Sequence, residues 1–202
     1  MSIIQAKIIG SQVWTTENLT ALQYQIITGN RIKVNNEHWE ESSPQVCSYE
    51  SSFYKSKKMY LFNSAAAREL TLFNDRKNWR LPTDSDFDIL FQTIDPESSL
   101  DLPSELVAKA LRGTYGWPQN GTNKIGFNAY PNPSRNMFGR LYESEIARWW
   151  LYDKKRNSFD GVALYNDIDV IATCTPNSHS GFAIRLVMDL QEPRIEKGLK
   201  YI

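Results

Sequence analysis

The sequence is poor in the side chains that most often build catalytic and metal sites. Only two cysteines and two histidines occur among its 202 residues. His38 and His179 lie far apart, so the sequence has no HxxxH or HExxH spacing for a transition-metal site. It also has no GxSxG elbow, Walker loop or GxGxxG motif. We therefore predict a protein that is not an enzyme, with no catalytic residue, no metal ligand set and no cofactor.

An excess of charge of one sign and long apolar runs are also missing. The 23 basic and 23 acidic residues give a net charge of zero. Because no basic field attracts phosphate groups, we predict no nucleic-acid partner. The densest apolar stretch, Ile146–Tyr152, is far shorter than the roughly 20 residues of a membrane span and contains Arg148. We therefore predict no membrane span.

The cysteines and the first residues bear on the cellular compartment. Cys47 and Cys174 are too few for a disulfide framework, and the sequence leaves open one bridge or two buried free thiols. Met1–Lys7 has no basic start, no long apolar middle and no small-residue cleavage site. We expect synthesis and folding in the cytoplasm.

The residues that are abundant indicate a folded domain rich in aromatic side chains. Apolar residues make up 41% of the chain and aromatic residues 12%, which is enough to form a core. Three helices are predicted to begin at the capping residues Ser64, Thr83 and Ser104. The second has apolar residues at helical spacing from Phe87 to Ile94.

Short strands are predicted on both sides of these helices. Ile8–Trp14 is rich in β-branched residues, and Tyr24–Ile27 and Ile32–Val34 flank a Gly29–Asn30 pair that favours a hairpin. Further strands are predicted at Ile146–Leu151, Gly161–Tyr165, Val170–Cys174 and Phe182–Met188, the last with one better-buried face. We predict a single α+β domain over residues 1–190, with a polar excursion at 35–58 and a C-terminal tail at 191–202.

The loops between residues 115 and 180 have the composition of a recognition surface. Sugar rings stack on aromatic side chains, while Asn and Asp hydrogen-bond their hydroxyls. The alternative is that these aromatic side chains fill the core. The candidate ligand-binding residues lie in loops at 130–135, 152–159, 165–167 and 177–179, and they are Tyr130, Asn132, Arg135, Tyr152, Asn157, Tyr165, Asn166, Asp167, Asn177 and His179.

Two acidic clusters each have a structural and a functional interpretation. Asn166, Asp167 and Asp169 supply oxygen atoms of the kind that calcium prefers, which makes calcium the one cofactor to consider. Asp84, Asp86 and Asp88 lie around a predicted helix start, where carboxylates cap the helix, favour its dipole or face solvent. We interpret this second cluster as structural.

Several strings occur in the order found in a known family. They are Ile9–Leu19 (IGSQVWTTENL), Trp39 with Pro44 and Cys47–Tyr49, Tyr60–Ala66 (YLFNSAA), Trp79–Phe87 (WRLPTDSDF), Asn120–Ala129 (NGTNKIGFNA), and Trp149–Trp150 with Gly181–Arg185 (GFAIR). Together they resemble the motifs of the Fibrobacter succinogenes major paralogous domain, over roughly residues 8–188.

The resemblance implies a C-type-lectin-like fold, with two to three helices, short antiparallel sheets and a loop-rich face that binds ligands. It also implies a surface or secreted protein of Bacteroidetes-type bacteria. The enzyme branches of that fold use cysteine pairs or a His-rich triad, which this chain does not match. The residues that the resemblance marks as building the fold are Trp14, Trp79, Leu81, Pro82, Thr83, Gly121, Gly126 and Trp149.

Two departures from the family pattern shape the functional hypothesis. Members often carry cysteines where this chain has Asp75 and Leu186, and the loss of both fits a reducing cytoplasm. We expect a non-enzymatic ligand-binding or adhesion module for a glycan or a protein surface, exposed on the cell or on a particle. The alternative is a structural or receptor-binding subunit of a large particle, such as a phage tail or contractile injection system, with other subunits as partners.

Overall fold

A computed structural model gives the fold of the chain. It describes residues 4–37, 39, 42–50, 58–72, 79–136, 138–142, 146–166, 169–177 and 179–190. The described part is mixed α and β, with four helices and several short antiparallel sheets. None of its helices has the length and apolar character needed to cross a membrane. The predicted tail at 191–202 lies outside the described residues, as do His38, Asp75 and Asp167.

The first sheet joins the beginning and the end of the described chain. Strands β1 (Ala6–Ile9) and β2 (Gln12–Thr15) form a hairpin, and β10 (Val187–Asp189) pairs with the other edge of β2. The sequence predicted one strand over Ile8–Trp14, but the chain turns at residues 10 and 11. Trp14 lies opposite Lys7 on one side and Val187 on the other, so this sheet brings the first and last strands of the described chain together on β2.

Helix α1 (Ala21–Thr28) replaces the hairpin predicted around Gly29–Asn30. Thr20 and Gln23 form a reciprocal capping box at its start, where the Gln23 amide nitrogen donates to the Thr20 hydroxyl over 3.2 Å. Gly29 ends the helix in the left-handed region, with φ of 75°. The hairpin prediction was wrong because glycine at such a position serves a helix C-cap as well as a turn.

The region predicted as a polar excursion contains regular structure. Strand β3 (Val46–Glu50) pairs with β4 (Lys58–Phe62), and four of the five β3 residues are buried. Cys47 and Tyr49 belong to the core, and Trp39 packs against it. The excursion is therefore anchored by its apolar side chains, although residues 51–57 lie outside the described part.

The three predicted helices are present. They are α2 (Ser64–Leu72), α3 (Asp84–Gln92) and α4 (Glu105–Leu111). Thr83 and Ser104 occupy the cap positions that the sequence predicted. At α2 the cap is Asn63 instead of Ser64, because the Asn63 side-chain oxygen accepts the Ala66 amide over 2.9 Å.

The second half of the described chain is built of short strands. Strands β5 (Ser134–Arg135) and β6 (Leu141–Tyr142) form a small hairpin, and β7 (Ala147–Asp153), β8 (Ser158–Leu164) and β9 (Ile171–Cys174) form a meander. The stretch Ser180–Val187 is buried at every residue, because it bridges to Phe62, Arg135 and Trp149. The predicted alternation of burial at Phe182–Met188 was therefore wrong.

Two hydrophobic clusters make up the core, and β7 contributes to both. Trp149 lies in the first cluster with Trp14, Phe87 and Phe127. Its neighbour Trp150 lies in the second with Phe62 and other side chains. Because successive side chains of a strand point to opposite faces, β7 separates the two clusters and contacts each of them.

Candidate functional site

The structure divides the ten predicted ligand-binding residues into buried and accessible groups. Tyr130, Asn132, Arg135 and Asn166 are at least 95% buried, so their prediction as surface contacts was wrong. Tyr152, Tyr165 and His179 are half-buried, while Asn157 and Asn177 are exposed. Asp167 lies outside the described residues.

Tyr130 belongs to the interior because it closes a buried network around Arg185. Its hydroxyl donates to the Glu17 carboxylate over 2.7 Å, and its ring lies 5.8 Å from the Arg185 guanidinium carbon. Burial raises the pKa of Tyr130 well above its usual value, even though the charge of Arg185 opposes the rise. These contacts give the ring a structural role.

The loop that follows β8 is held to α4 by salt bridges of Asp169. Arg112 and Lys109 of α4 bind the Asp169 carboxylate at 2.6 and 3.0 Å. Burial by itself would raise the pKa of Asp169, but hydrogen bonds from Lys109 and Arg112 outweigh burial and lower the pKa. The Asn166 side-chain oxygen accepts the Gln119 amide over 3.1 Å. Two of the three oxygen donors considered for calcium therefore already have protein partners.

Two clefts lie on either side of a turn that the sequence had marked as a contact loop. We call the first the Phe159 cleft; it has a volume of about 270 Å³ and is lined by Ser64, Arg68, Trp150, Asn157, Ser158, Phe159, Pro176 and Asn177. We call the second the Trp39 cleft; it has a volume of about 240 Å³ and is lined by Glu37, Trp39, Arg135, Asn136, Phe138, Gly139 and His179. Asn177 lines the first cleft and His179 lines the second.

The Phe159 cleft combines an aromatic ring with polar groups of several kinds. The rings of Phe159 and Tyr152 lie 5.4 Å apart, and the Tyr152 hydroxyl donates to the Asn157 side-chain oxygen over 3.0 Å. The guanidinium carbon of Arg68 lies 5.4 Å above the Phe159 ring. The Ser158 hydroxyl is buried and makes no hydrogen bond with a described residue. The exposed amides of Asn157 and Asn177 beside the aromatic ring are suited to bind a polar ligand.

The Trp39 cleft contains an arginine that the structure already uses. The Arg135 guanidinium lies 4.5 Å above the Trp39 ring and donates to the carbonyl oxygens of Gly139 and Glu37 at 3.0 and 3.1 Å. Burial lowers the pKa of Arg135. This side chain fastens the β5–β6 hairpin to residues 37 and 39, so it is a structural part of the cleft wall.

The two thiols are free and are unsuited to nucleophilic chemistry. Cys47 is buried and Cys174 is half-buried. Burial raises the pKa of Cys47 to about 11, although the charge of Arg135 opposes the rise, and burial also raises the pKa of Cys174. A thiolate is the nucleophilic form, so little of either side chain is reactive near neutral pH.

The comparison with protein families bears on the chain as a whole. The model of the Fibrobacter succinogenes major domain matches residues 8–188. The chain belongs to this family. No curated protein and no solved structure matches it. The match covers both clefts and the core, so the residues of the two clefts lie within a Fibrobacter succinogenes major domain.

The motif residues that the resemblance had marked pack in or against the interior of this Fibrobacter succinogenes major domain. Trp14, Leu81, Thr83 and Trp149 are each at least 97% buried. Trp79 packs against the second cluster. The Pro82 carbonyl accepts the Tyr152 amide over 2.9 Å, which joins the start of α3 to β7. None of these six residues is among the described residues that line the Phe159 cleft.

The two marked glycines lie in the loop after α4. At Gly121 a side chain would collide with the Arg112 backbone, since an added Cβ would lie 2.4 Å from its carbonyl oxygen. The Gly126 amide donates to the Asn123 carbonyl over 3.0 Å in a tight turn. The NGTNKIGFNA string therefore shapes a loop that packs on α4.

Sequence reasoning missed Arg68 and the Trp39–Phe138 pair. Arg68 lies on α2, whose helical pattern gave no reason to connect it with residues 157–159 or 176–177. Trp39 and Phe138 are about 100 positions apart and line one cleft because the Arg135 side chain, on the same hairpin as Phe138, packs over the Trp39 ring. The available signal was Phe138 itself, an aromatic residue within a polar stretch, which is 75% exposed.

Proposed function

We propose that this Fibrobacter succinogenes major domain is a non-enzymatic ligand-binding module that recognises a glycan through the Phe159 cleft. The observation that carries the proposal is the grouping of the Phe159 ring with the exposed Asn157 and Asn177 amides in one open cleft. Apolar ring surface next to amide and hydroxyl groups is the combination that sugars require.

We also propose a C-type-lectin-like arrangement for the chain, displayed on a cell surface or on a particle. Four short helices, small antiparallel sheets and a loop-rich face in the described part support this arrangement. An experimental structure compared with C-type-lectin-like domains would test it directly.

A glycan array followed by titration tests the proposed function. The variant should remove both amides without strain: Asn157 has a left-handed φ of 49°, so Asn157→Gly suits its backbone better than alanine, and it is combined with Asn177→Ala. We expect the wild-type chain to bind a subset of glycans. The double variant should bind them about 30-fold more weakly, since it loses two hydrogen bonds worth about 1 kcal/mol each.

The matched control is Asn30→Ala, because Asn30 is exposed and lines neither cleft. It should leave glycan binding and the melting temperature unchanged. Absence of any bound glycan, or equal binding by the double variant, would contradict the proposed function.

One observation favours the alternative, a subunit of a large particle. The β5–β6 hairpin exposes three apolar side chains, with Phe138 at 75%, Tyr142 at 52% and Leu141 at 43% exposure. Exposed apolar side chains grouped on one hairpin are a feature that protein interfaces bury. Isolation of the native protein in a stoichiometric assembly, seen by gel filtration, mass spectrometry and electron microscopy of the same fractions, would support this alternative over a free monomer.

A further inference from the structure

Arg68 has no carboxylate partner among the described residues, in contrast to three other arginines. Arg80 binds Asp86 and Asp189, Arg112 binds Asp169, and Arg156 binds Asp153 and Asp160. Arg68 has as its neighbour the ring of Phe159. Its side chain is exposed, so its guanidinium can be reached from solvent.

The surroundings of Arg68 favour negative charge in the cleft. None of the described residues lining the Phe159 cleft is acidic. Ser64, the first residue of α2, also lines the cleft, so the positive end of this nine-residue helix lies at its wall. The guanidinium and the helix end, together with the lack of a carboxylate among the described lining residues, all make the electrostatic potential of the cleft more positive.

The position of the guanidinium also suits a carboxylate on a polar ligand. Stacking over the Phe159 ring restricts Arg68, so less side-chain entropy is lost when it binds a ligand. A planar guanidinium can donate two parallel hydrogen bonds to one carboxylate. The side-chain oxygens of Asn157 and Asn177 already accept hydrogen bonds from the protein, and their amide NH2 groups remain to donate to the hydroxyl groups of the same ligand.

We propose that the Phe159 cleft binds an acidic sugar, with Arg68 paired to the carboxylate of the sugar. This inference rests on the proposed glycan-binding function and specifies its ligand class. The Trp39 cleft is a weaker candidate for an anion, since Arg135 is 97% buried with its donors on two carbonyl oxygens and Glu37 lines the same cleft.

The test compares glycosides that differ only in the acidic group. The 15N-labelled chain is titrated, with NMR shifts as the readout, with methyl glucuronide against methyl glucoside and methyl galacturonide against methyl galactoside. Acetate is titrated separately as a free carboxylate. We expect at least one uronide to bind about tenfold more tightly than its neutral partner, the effect of one charged hydrogen-bonded pair. Added salt should weaken this preference.

The variant Arg68→Gln should bring the acidic and neutral glycosides to nearly equal affinity. Arg31→Gln is the matched control, since Arg31 is exposed and lines neither cleft. Both variants should melt as the wild type does, because both side chains are exposed.

The outcomes separate the ligand class from the function. Equal binding of the two members of each pair, with no effect of Arg68→Gln, would overturn the acidic-sugar inference and leave glycan binding intact. Binding of acetate as tight as that of the uronides would overturn the sugar part of the inference. If neither these glycosides nor the glycan array show binding, the proposed function fails together with the inference.

Discussion

At the scale of single residues, Arg185 shows how a charge can serve a hydrophobic core. It is fully buried, and its guanidinium donates to the Asn18 side chain and to the carbonyls of Thr15, Phe127 and Asn128 at 2.7 to 3.1 Å. Its carbon lies 4.8 Å from the centre of the Phe127 ring. One side chain therefore satisfies backbone oxygens at the end of β2 and in the loop at residues 127–128.

Replacing this residue should be costly even when its volume is kept. Arg185→Met leaves several buried acceptors without a donor, and each costs about 1–3 kcal/mol. We therefore expect the free energy of unfolding in urea to fall by about 3 kcal/mol or more. Arg185→Lys should lower the free energy of unfolding by less than Arg185→Met does, because lysine keeps the charge although it lacks the planar set of guanidinium donors.

Arg31→Met, at an exposed position, serves as the control and should change stability by less than about 0.5 kcal/mol. Equal stability of Arg185→Met and wild type would show that the guanidinium satisfies no essential acceptor.

At the scale of elements, the Asp86 carboxylate joins parts of the fold that lie far apart in the sequence. It accepts hydrogen bonds from Gln12 on β2 at 2.6 Å, from Arg80 at 2.5 and 2.7 Å, and from the Thr83 amide at 2.7 Å. Arg80 also reaches Asp189 on β10 at 2.9 Å. The start of α3 is thereby tied to the first sheet.

This arrangement predicts a loss of stability at acid pH. Burial of Asp86 would by itself raise its pKa, but hydrogen bonds from Arg80 and Thr83 outweigh burial and lower the pKa below 3.8. The unfolded chain therefore binds the proton more readily, so the stabilisation is present above the unfolded pKa and is lost as the pH falls towards the folded pKa.

Urea unfolding between pH 7 and pH 3 measures this effect. Asp86→Asn should lower stability at pH 7 and flatten the fall towards pH 3, whereas Asp88→Asn, which keeps the Asp86 network intact, should keep the steep fall. If the free energy of unfolding of the Asp86→Asn variant falls with pH as steeply as that of the wild type, the acid sensitivity comes from other carboxylates.

The elements that the sequence predicted are those with a local signal. The apolar spacing from Phe87 to Ile94 and the cap at Thr83 were enough to predict α3. Helix α1 was missed because the Gly29–Asn30 pair and the β-branched Ile26 and Ile27 are also typical of a hairpin. The Thr20–Gln23 capping box favours the helix. In the sequence it is only a Thr followed three positions later by a Gln, which is a weak signal.

The candidate site was harder to predict because burial in loops depends on tertiary contacts. Asn157 and Asn177 were predicted as candidates and line one cleft. Tyr130 had the same composition signal, yet it is buried against Arg185, which lies 55 positions later in the sequence. Arg68 could not be connected with the cleft, since nothing in a single sequence indicates which helix faces which loop.

At the scale of the whole molecule, β7 couples the two halves of the core. Trp149 contacts Phe127 in the first cluster, with ring centres 5.7 Å apart, and Trp150 contacts Phe182 in the second, at 4.9 Å. A separation of the clusters would expose one of these rings, and each carries a large buried apolar area. We therefore expect the clusters to unfold together.

The two native thiols report on the two clusters separately. Cys47 belongs to the first cluster and Cys174 packs against the second. Brief exposure to a thiol reagent at each urea concentration, with mass spectrometry of the two cysteine peptides, gives a protection curve for each cluster without any substitution. Tryptophan fluorescence gives the transition of the whole molecule.

All three transitions should have the same midpoint, because a shared strand makes unfolding all-or-none. A Cys174 curve that falls at lower urea than the Cys47 curve would instead show that the second cluster opens by itself. Since Trp150 and Phe159 line the Phe159 cleft and belong to or pack against the second cluster, such opening would disrupt the proposed binding site before the rest of the fold. A common midpoint therefore means that the cleft is as stable as the core, and that ligand binding at Arg68 should raise the stability of the whole chain.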